Sequence, residues 1–351
     1  MTKPPVTPER LLELIEGMSG QPILMLVDLV ADRFITGTPK RISREAPVLI
    51  LSFQHETLTP GGGANAVANI RALGGNPLPL GIVGNDPSGT ALLAKLEQSE
   101  ISTAGILVRP GFRTPTKTRI LGGGRHSIKQ QIVRYDIEEQ IELTAAERAS
   151  ISAHLDSLGG KARIAVLSDY GYGAVEPTFL PSIRRAVSTD SQQPGTVLCD
   201  SRYRLADFSG LDGATPNEEE AETLLGRSIG DDQRSVLAGG QRLLELLQGE
   251  SVLITRGSRG MALFNSDGAW QLPVHGTDQV ADVTGAGDTV IGTYALALAA
   301  GASTLEATCL ANYAGGTVVM KMGTATLCQD ELRQAVLANP SLLEDLEWAE
   351  Y

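Results

Sequence analysis

The sequence is poor in cysteine and has no long hydrophobic run. The three cysteines, Cys199, Cys309 and Cys328, form no Cys-x-x-Cys pair. This count argues against a disulfide framework or a structural zinc site and favours a reducing compartment. The longest apolar stretch, from about Val290 to Ala300, is far shorter than the ~20 residues of a membrane-spanning helix. Because the N-terminus lacks the apolar core of a signal peptide, we expect a soluble, cytoplasmic protein.

Basic residues are also in the minority. Lys and Arg number 29 against 41 Asp and Glu, a net charge of −12, and no basic run occurs. This balance argues against nucleic acids and anionic membranes as partners. Aromatic residues make up only 4%, whereas glycine occurs 39 times, which favours an α/β protein with tight functional turns over a carbohydrate-binding β-sandwich.

Most of the chain alternates between short apolar runs and amphipathic segments. The predicted strands are 23–30, 78–84, 164–168, 196–199, 213–215 and 251–255. The predicted helices are 8–17, 63–73, 91–98, 144–158, 177–188, 217–225, 232–248, 287–300 and 304–320. This alternation predicts an α/β fold with a mostly parallel central sheet and helices on both faces, in one domain over 1–351.

Two segments, 33–59 and 112–135, have a different texture. They are rich in β-forming residues, and polar residues interrupt them. Such a pattern is typical of antiparallel hairpins rather than of strand–helix crossovers. We expect the two segments to pair as a small β-lid inserted into the main domain.

A glycine-rich turn precedes the long helix predicted at 287–300. Gly285, Ala286 and Gly287 come directly before Asp288. Backbone N–H groups at such a helix start can converge on an anion, and a neighbouring carboxylate can accept a proton from a hydroxyl. The pattern therefore favours transfer of a charged group to a hydroxyl, although a helix cap with a glycine turn would give the same residues.

A second glycine-rich segment, 60–75, also leads into a helix. Gly61 and Gly62 allow a ligand to approach the backbone, and Asn65 can form a hydrogen bond with a hydroxyl. A flexible turn before a tightly packed helix is the alternative. The segment is neither a Walker A loop nor a G-x-G-x-x-G dinucleotide fingerprint, which argues against a dehydrogenase.

Together, the two glycine-rich segments resemble the two signatures of the PfkB-type carbohydrate kinases, which have the ribokinase-like fold. The resemblance extends from about Ile23 to Leu327. It implies a sugar kinase that uses ATP and Mg²⁺. By this resemblance Asp288 is the base that activates the sugar hydroxyl, and residues 285–287 form the anion hole.

Two pairs of residues match the ion-binding positions of this family. Asn217 and Glu220 resemble its N-x-x-E motif, which positions Mg²⁺ and phosphates through water. Because Asn217 is also a good N-cap, a capped acidic helix start would give the same pattern. Asp282 and Thr284 match positions beside a monovalent-cation site in some relatives.

The nucleotide positions follow from the same resemblance. Thr255, Gly257 and Gly260 match the segment that contacts ATP phosphates and ribose, for which a hairpin turn is the alternative. Asn312 falls on the helix that borders the adenine in relatives. It would otherwise be a solvated helix residue.

Several segments resemble one subgroup, the heptose 7-phosphate kinases of lipopolysaccharide core synthesis. They are 28–34, 41–48, 130–136, 167–170 and 282–292, of which RISREAPV at 41–48 is the most distinctive. The resemblance implies phosphorylation of the anomeric hydroxyl of D-glycero-D-manno-heptose 7-phosphate. The product is then heptose 1,7-bisphosphate.

The sugar-binding residues are assigned by their chemistry. Asp32 and Asp169 suit sugar hydroxyls, with further hydrogen bonds from Asn65 and the backbone of Gly61 and Gly62. This set predicts that the sugar lies between the β-lid and the main sheet.

The existing phosphate of such a sugar requires cations. Arg134 is the leading candidate, followed by Arg202 and Arg44, with a surface charge or a lid salt bridge as the alternative for each. The chain departs from the subgroup at Val27, where relatives carry Gly, and at Tyr172 and Arg202, where they carry Lys. A kinase of another small sugar or sugar phosphate is therefore the second hypothesis.

A non-catalytic sugar or nucleotide sensor is the third hypothesis. Intact Asp288, Asn217 and Glu220 argue against it, because a protein that only binds needs no base. The His-x-Gly-His motif of the nucleotidyltransferase half of bifunctional relatives does not occur, so we expect kinase activity alone. We also expect a homodimer formed through the β-lid, since lid-to-lid pairing covers an open sheet edge.

Overall fold

The computed structural model describes residues 6–124, 129–188, 194–230, 232–276 and 281–351. The strands are β1 Pro22–Val27, β2 Leu29–Ile42, β3 Leu49–Gly62, β4 Asn76–Gly84, β5 Ile106–Arg109, β6 Thr116–Gly122, β7 Gln130–Ile137, β8 Ile164–Asp169, β9 Thr196–Ser201, β10 Gly213–Ala214, β11 Ser251–Thr255, β12 Met261–Asn265, β13 Gly268–Leu272 and β14 Glu347–Ala349. The helices are α1 Pro8–Gly17, α2 Gly63–Ala72, α3 Pro87–Gln98, α4 Ala145–Ser157, α5 Leu180–Val187, α6 Glu218–Leu225, α7 Gln233–Leu247, α8 Ala286–Ala299, α9 Thr304–Val318 and α10 Gln329–Ala338.

Ten strands form the central sheet, in the order β14-β13-β12-β11-β10-β9-β8-β1-β4-β5. The pairs from β11 through β10, β9, β8, β1 and β4 to β5 are parallel. Strands β11 to β14 pair antiparallel and form one end of the sheet. The sheet is therefore mostly parallel, as the alternation of strands and helices predicts.

The central sheet is covered on both faces. Ile23, Met25 and Val27 of β1 belong to one hydrophobic cluster, whereas Leu24 and Leu26 belong to a second. Because successive side chains of a strand point to opposite faces, β1 separates the two clusters. A continuous apolar run such as this is typical of a parallel strand buried on both sides.

A small sheet of four strands, in the order β3-β2-β6-β7, adjoins the central one. The hairpins β2–β3 and β6–β7 are antiparallel and join through a parallel pairing of β2 with β6. Segments 33–59 and 112–135 supply most of it, and residues 125–128 of the second segment lie outside the described residues. The chain turns at Asp28, between β1 and β2, so the predicted strand 23–30 is divided between the two sheets.

Some elements differ from their predicted form. The predicted helix 177–188 is a 3₁₀ turn, Pro177–Phe179, followed by α5. Pro181 at the start of α5 has no N–H to continue a helix begun earlier. Strands β5 and β12 to β14 were not predicted, because strands of three to five residues carry a weak periodic pattern. Helix α10 was not predicted either. Among the described residues, no helix has the length and apolar character needed to cross a membrane.

Candidate active site

A cavity of about 900 Å³ opens where parallel strands of the central sheet end and the small sheet begins. Residues that follow β8 and β9, the first turn of α8 and side chains of β2, β6 and β7 line it. Ligands of open α/β sheets bind at the carboxyl ends of the strands. The side chains described below therefore lie where this fold class binds small molecules.

Asp288 lies in the first turn of α8 and is buried at the base of this cavity. Its Oδ2 accepts a hydrogen bond from Asn65 Nδ2 at 3.0 Å, and its Oδ1 accepts one from the Tyr170 hydroxyl at 2.8 Å. Burial raises the pKa of the Asp288 carboxyl to about 7, against the two hydrogen bonds, which lower it. A carboxyl with this pKa can accept a proton near neutral pH.

The orientation of the Asn65 amide is fixed by neighbours. Asn69 Nδ2 donates to Asn65 Oδ1 at 3.2 Å, and the Thr289 hydroxyl donates to Asn69 Oδ1. Asn65 Nδ2 therefore faces Asp288. Gly285 leaves room for the Asn65 amide, because a Cβ at this position would lie 2.4 Å from Asn65 Nδ2. Its φ of +79° is also one that residues with a side chain rarely adopt. Only glycine meets both requirements.

Gly285 and Gly287, the flanking residues of the predicted anion hole, line the cavity beside Asp288. The helix α8 starts at Ala286, whose N–H donates to the Val283 carbonyl. The first N–H groups of a helix have no partners within it, and a Cβ added to Gly287 would meet open space. The cavity is thus open above the start of α8, as an anion there requires.

Asp28 connects β1 to the loop that follows β8. Its carboxylate accepts hydrogen bonds from the backbone N–H groups of Tyr170, Tyr172 and Ala174, at 2.9, 2.9 and 3.0 Å. Burial raises its pKa to about 6, against these bonds, which lower it. The role of Asp28 in this structure is to position the loop that carries Tyr170.

Asp32 is buried on β2 and lines the cavity. The Arg119 guanidinium forms an ion pair with its Oδ1. Burial raises the pKa of Asp32, against the charge of Arg119, which lowers it. Gly62, which begins the turn into α2, lines the same part of the cavity. Asp32 and Gly62 thus lie where the sequence predicts sugar contacts.

Asp169 lines the cavity and also forms hydrogen bonds with the neighbouring loops. Its side chain is fully buried, and both carboxylate oxygens accept hydrogen bonds from Arg204, at 2.5 and 3.3 Å. The Ser201 hydroxyl and the Gly171 N–H donate to the same carboxylate. This carboxylate joins the loops after β8 and β9, and Asp169 is also among the residues that line the cavity.

Besides Arg119, which pairs with Asp32, three cations line the cavity. Lys117, Arg134 and Arg202 line it, and Arg134 forms an ion pair with Asp136. Within the described part of the chain, Lys117 and Arg202 make no ion pair. Burial, followed by the charge of Arg202, lowers the pKa of the Lys117 ammonium. Arg44 is at the distal turn between β2 and β3 and is not part of the cavity wall.

Asn217 and Glu220 form a capping box at the start of α6. The Glu220 N–H donates to Asn217 Oδ1, and the Asn217 N–H donates to Glu220 Oε2, both at 2.9 Å. Both residues also line the cavity. This pair can therefore cap the helix and also bind an ion. The second carboxylate oxygen of Glu220 and the amide nitrogen of Asn217 take no part in the capping box.

Asp200 follows Cys199 on β9 and also lines the cavity. Burial and the neighbouring charge of Glu220 raise its pKa well above the usual value. No group of three His, Cys, Asp or Glu side chains suited to a metal occurs in the described ranges. Mg²⁺ at nucleotide sites needs only one or two carboxylates, with water and phosphates completing the octahedron, so Asp200 and Glu220 fit this ion.

The predicted nucleotide residues Thr255, Gly257, Gly260 and Asn312 lie in three places. Thr255 lines the cavity and pairs with Asn217 in an isolated parallel bridge. Gly257 and Gly260 lie in the turn between β11 and β12, both with positive φ, and a Cβ on Gly260 would lie 2.0 Å from a carbonyl oxygen. Asn312 is buried on α9, where its amide donates to the Pro273 carbonyl at 2.7 Å, so it is not a solvated residue.

The Asp282 carboxylate accepts N–H bonds from Thr284 at 2.9 Å and from Gly323 at 3.1 Å. It thereby connects the segment before α8 to the segment after α9. Thr284 lines the cavity, whereas the two Asp282 oxygens face backbone donors. Both residues are adjacent to the predicted anion hole.

Val27 and Tyr172, which depart from the heptose kinase pattern, do not line the cavity within the described residues. Val27 is buried at the end of β1, and the Tyr172 hydroxyl donates to Glu138 Oε1 at 3.3 Å. Tyr172 is not among the described residues that line the cavity, whereas Arg202 is.

Sequence reasoning missed Lys117, Arg119, Tyr170 and Asp200 as cavity residues. The sequence analysis assigns a sugar-binding role to Asp169 and none to the neighbouring Tyr170. Lys117 and Arg119 alternate along β6, which places both side chains on one face of the small sheet. That alternation was the available signal.

Comparison with known proteins agrees with this geometry. The sequence model described as pfkB family carbohydrate kinase matches residues 24–332. The bifunctional protein HldE of Mesorhizobium japonicum is 36% identical over 95% of this chain and 65% of its own length. HldE of Paramagnetospirillum magneticum is 38% identical over 92% of this chain and 64% of its own length. The chain thus spans less than two thirds of these relatives.

Solved structures share the fold. Escherichia coli phosphofructokinase-2 in complex with substrates and products has a TM-score of 0.71 and 19% identity, over 92% of this chain and 99% of that one. Arabidopsis thaliana ribokinase complexed with ribose and ATP has a TM-score of 0.65 and 18% identity, over 93% and 99%. The predicted ribokinase-like α/β fold is confirmed.

Proposed function

Since the chain belongs to the pfkB family of carbohydrate kinases and is a phosphotransferase acting on sugar hydroxyls, we propose that its acceptor is heptose 7-phosphate. The reaction transfers the γ-phosphate of ATP to the anomeric O1 of D-glycero-D-manno-heptose 7-phosphate. The observation that carries the proposal is the position of Asp288, a buried carboxylate in a cavity that Lys117, Arg134 and Arg202 also line.

The cations favour an acceptor that already carries a phosphate. A neutral sugar needs only hydrogen bonds, and Asp32 and the Gly62 backbone provide groups for them. Lys117 and Arg202 add positive charge to the cavity, and within the described residues neither of them forms an ion pair. A phosphate dianion compensates it, and its bonds to charged donors are about twice as strong as neutral ones.

The choice of heptose rests on sequence. Segments 28–34, 41–48 and 130–136 resemble those of heptose 7-phosphate kinases, and they form or flank β2 and β7 of the small sheet. Relatives named HldE match 90–95% of this chain. Because the relatives are bifunctional and longer, only the kinase reaction is proposed here.

Asp288 accepts the proton of the attacking hydroxyl in the proposed mechanism. The oxygen then attacks the γ-phosphorus in line with the departing ADP, and the bond between the γ-phosphorus and the β,γ-bridging oxygen breaks. The N–H groups of Gly285 and Gly287 and the N-terminal end of α8 stabilise the charge on the transferring phosphoryl group. Asn65 and Tyr170 orient the base through their hydrogen bonds to its two oxygens.

The family implies use of ATP with Mg²⁺. Asp200 and Glu220 would bind the ion, Glu220 and Asn217 through water. When bound, Mg²⁺ neutralises charge on the phosphates during transfer. Raised pKa values of Asp200 and Glu220, each caused first by burial, support a site that is completed by a cation.

The nucleotide lies, in this proposal, along Thr255, Gly257 and Gly260, with its adenine toward Asn312. The two glycines lack side chains, and a Cβ on Gly257 would meet open space, which lets a phosphate or ribose approach the backbone there. A monovalent cation beside Asp282 and Thr284 would act next to the anion hole and strengthen its positive potential.

We also propose that the small sheet acts as a lid and pairs with that of a second copy. Exposed apolar side chains concentrate on it, including Ile42, Phe53 and Tyr135. Solvent-exposed groups of this size are typical of a surface that another protein covers. Closure over the sugar would exclude water, which competes as phosphoryl acceptor.

An ADP-release assay with MgATP tests the substrate. The panel contains heptose 7-phosphate, heptose, fructose 6-phosphate and ribose, and product NMR identifies the phosphorylated oxygen. Turnover on heptose 7-phosphate with a new phosphate on O1 supports the proposal. Turnover on another member only, or on a primary hydroxyl, favours the alternative kinase. No turnover with ATP still bound favours a sugar or nucleotide sensor.

A further inference from the structure

One cavity residue contacts Asp288 without belonging to either glycine-rich signature. The Tyr170 hydroxyl donates to Asp288 Oδ1 at 2.8 Å, while Asn65 occupies Oδ2. We propose that Tyr170 is a positioning residue, whose hydroxyl fixes the rotation of the Asp288 carboxylate and so directs its remaining lone pairs toward the acceptor hydroxyl. This inference rests on the proposed role of Asp288 as the base.

The Tyr170 hydroxyl acts as the donor in its hydrogen bond with Asp288. Burial, followed by the negative charge of Asp288, raises the pKa of this phenol well above its usual value. It is therefore protonated near neutral pH, where its hydroxyl donates to Asp288. Its hydrogen bond favours the ionised form of the carboxyl, which is the form that accepts a proton.

Tyr170 is itself fixed from two directions. Its N–H donates to Asp28 Oδ2 at 2.9 Å, which ties the loop to the end of β1. The Lys117 ammonium of β6 lies 5.4 Å from the centre of its ring, a cation–π distance. A side chain constrained on both its backbone and its ring can orient a partner with little loss of entropy.

Other charged groups that act on Asp288 come from three elements. They are Asp32 on β2, Lys117 on β6 and Asp200 on β9. Asp32 and Asp200 disfavour the ionised carboxyl, and Lys117 favours it. Replacement of the Tyr170 hydroxyl leaves these three charges in place, so a change in the pH profile reports the loss of one hydrogen bond.

Tyr170→Phe is the direct test, and Tyr172→Phe is the matched control on the same loop. Tyr172 also donates its N–H to Asp28, but its hydroxyl contacts Glu138. We expect Tyr170→Phe to lower kcat about tenfold or more and to move the acid limb of kcat/KM upward by about one pH unit. In Tyr172→Phe the acid limb stays at the wild-type pH, whatever its rate.

A second variant guards against general damage to the loop. Tyr170→3-fluorotyrosine preserves the ring and strengthens the donor, so the acid limb is expected to move downward. The Asp288 carboxyl is also titrated by ¹³C NMR without substrate, which gives its pKa independently of turnover. An unchanged Asp288 titration in both Tyr170 variants overturns the proposal, even if their activity falls. A wild-type enzyme inactive on all sugars defeats the proposed function, whereas the NMR titration still decides whether Tyr170 acts on Asp288.

Discussion

The position of a Cβ on Gly61 coincides with the carboxylate of Asp32. A methyl group at Gly61 would lie 2.4 Å from Asp32 Oδ2, a separation that real Cβ atoms do not show. The two residues lie on the paired strands β2 and β3, where Gly61 is opposite Val30. The glycine is therefore required by the neighbouring carboxylate rather than by its own backbone conformation.

Gly61→Ala is expected to displace the Asp32 carboxylate and to raise the KM for the sugar at least tenfold, an effect of roughly 1.4 kcal/mol. Gly239→Ala in helix α7 is the control, because the nearest neighbours of a Cβ at this position would be 3.4 Å away. A helix interior favours alanine, so this control should be as stable as the wild type or more. Steady-state kinetics and thermal unfolding of both variants provide the test. Wild-type KM in Gly61→Ala would contradict a sugar contact by Asp32.

Asp288 determines the expected pH dependence. A base must be deprotonated, and the pKa of Asp288 is raised to about 7, so kcat/KM should fall as the pH decreases through about 7. Asp288→Asn should lower kcat by about 10²–10⁴-fold and leave ATP affinity nearly unchanged. Rates from pH 5 to 9 and calorimetry with ATP measure both effects, with exposed Asp156→Asn as the control. Activity within a few-fold of the wild type in Asp288→Asn would rule out its assignment as base.

Lys117→Met tests the phosphate-binding group. Loss of one charged donor to a phosphate is expected to raise the KM for heptose 7-phosphate by about 10–100-fold. The KM for unphosphorylated heptose, measured at high concentration, should change little. Lys40→Met, on an exposed part of β2, is the control for removing a lysine from the small sheet. Equal increases of KM for both sugars would place Lys117 at the sugar ring or the reacting centre instead.

Phe53→Lys tests the dimer. This side chain is 66% exposed on β3, and we expect a charge there to convert a dimer into monomers in sedimentation experiments. The desolvation of a buried lysine opposes association. Leu337→Lys on α10, where the side chain is 51% exposed, should leave the assembly unchanged. A wild-type chain that sediments as a monomer, or a Phe53→Lys variant that remains dimeric, would contradict pairing through the small sheet.

The sequence predicts the fold more completely than the site. Strand–helix alternation and the two glycine-rich helix starts depend on residues that are neighbours along the chain, so both can be recognised in the sequence. The ion-pair partner of Asp169 cannot be recognised in this way, because Arg204 is 35 positions away and a buried ion pair follows no periodic sequence pattern. Lys117 and Tyr170 are single residues whose meaning arises only where β6 approaches the end of β8. Their roles, like those of the other site residues, remain predictions for the experiments above.

The hydrogen bonds of the Asp28 carboxylate require a fixed number of residues in the loop after β8. The carboxylate accepts hydrogen bonds from the N–H groups of residues 170, 172 and 174. Because these are every second residue, the bonds form only when one residue separates each pair of donors. Insertion or deletion of one residue there would bring the intervening N–H groups toward Asp28 and turn Tyr170 away from Asp288. Length variation in this family should therefore be tolerated at the distal turns of the small sheet, whereas this short loop should vary in composition but not in length.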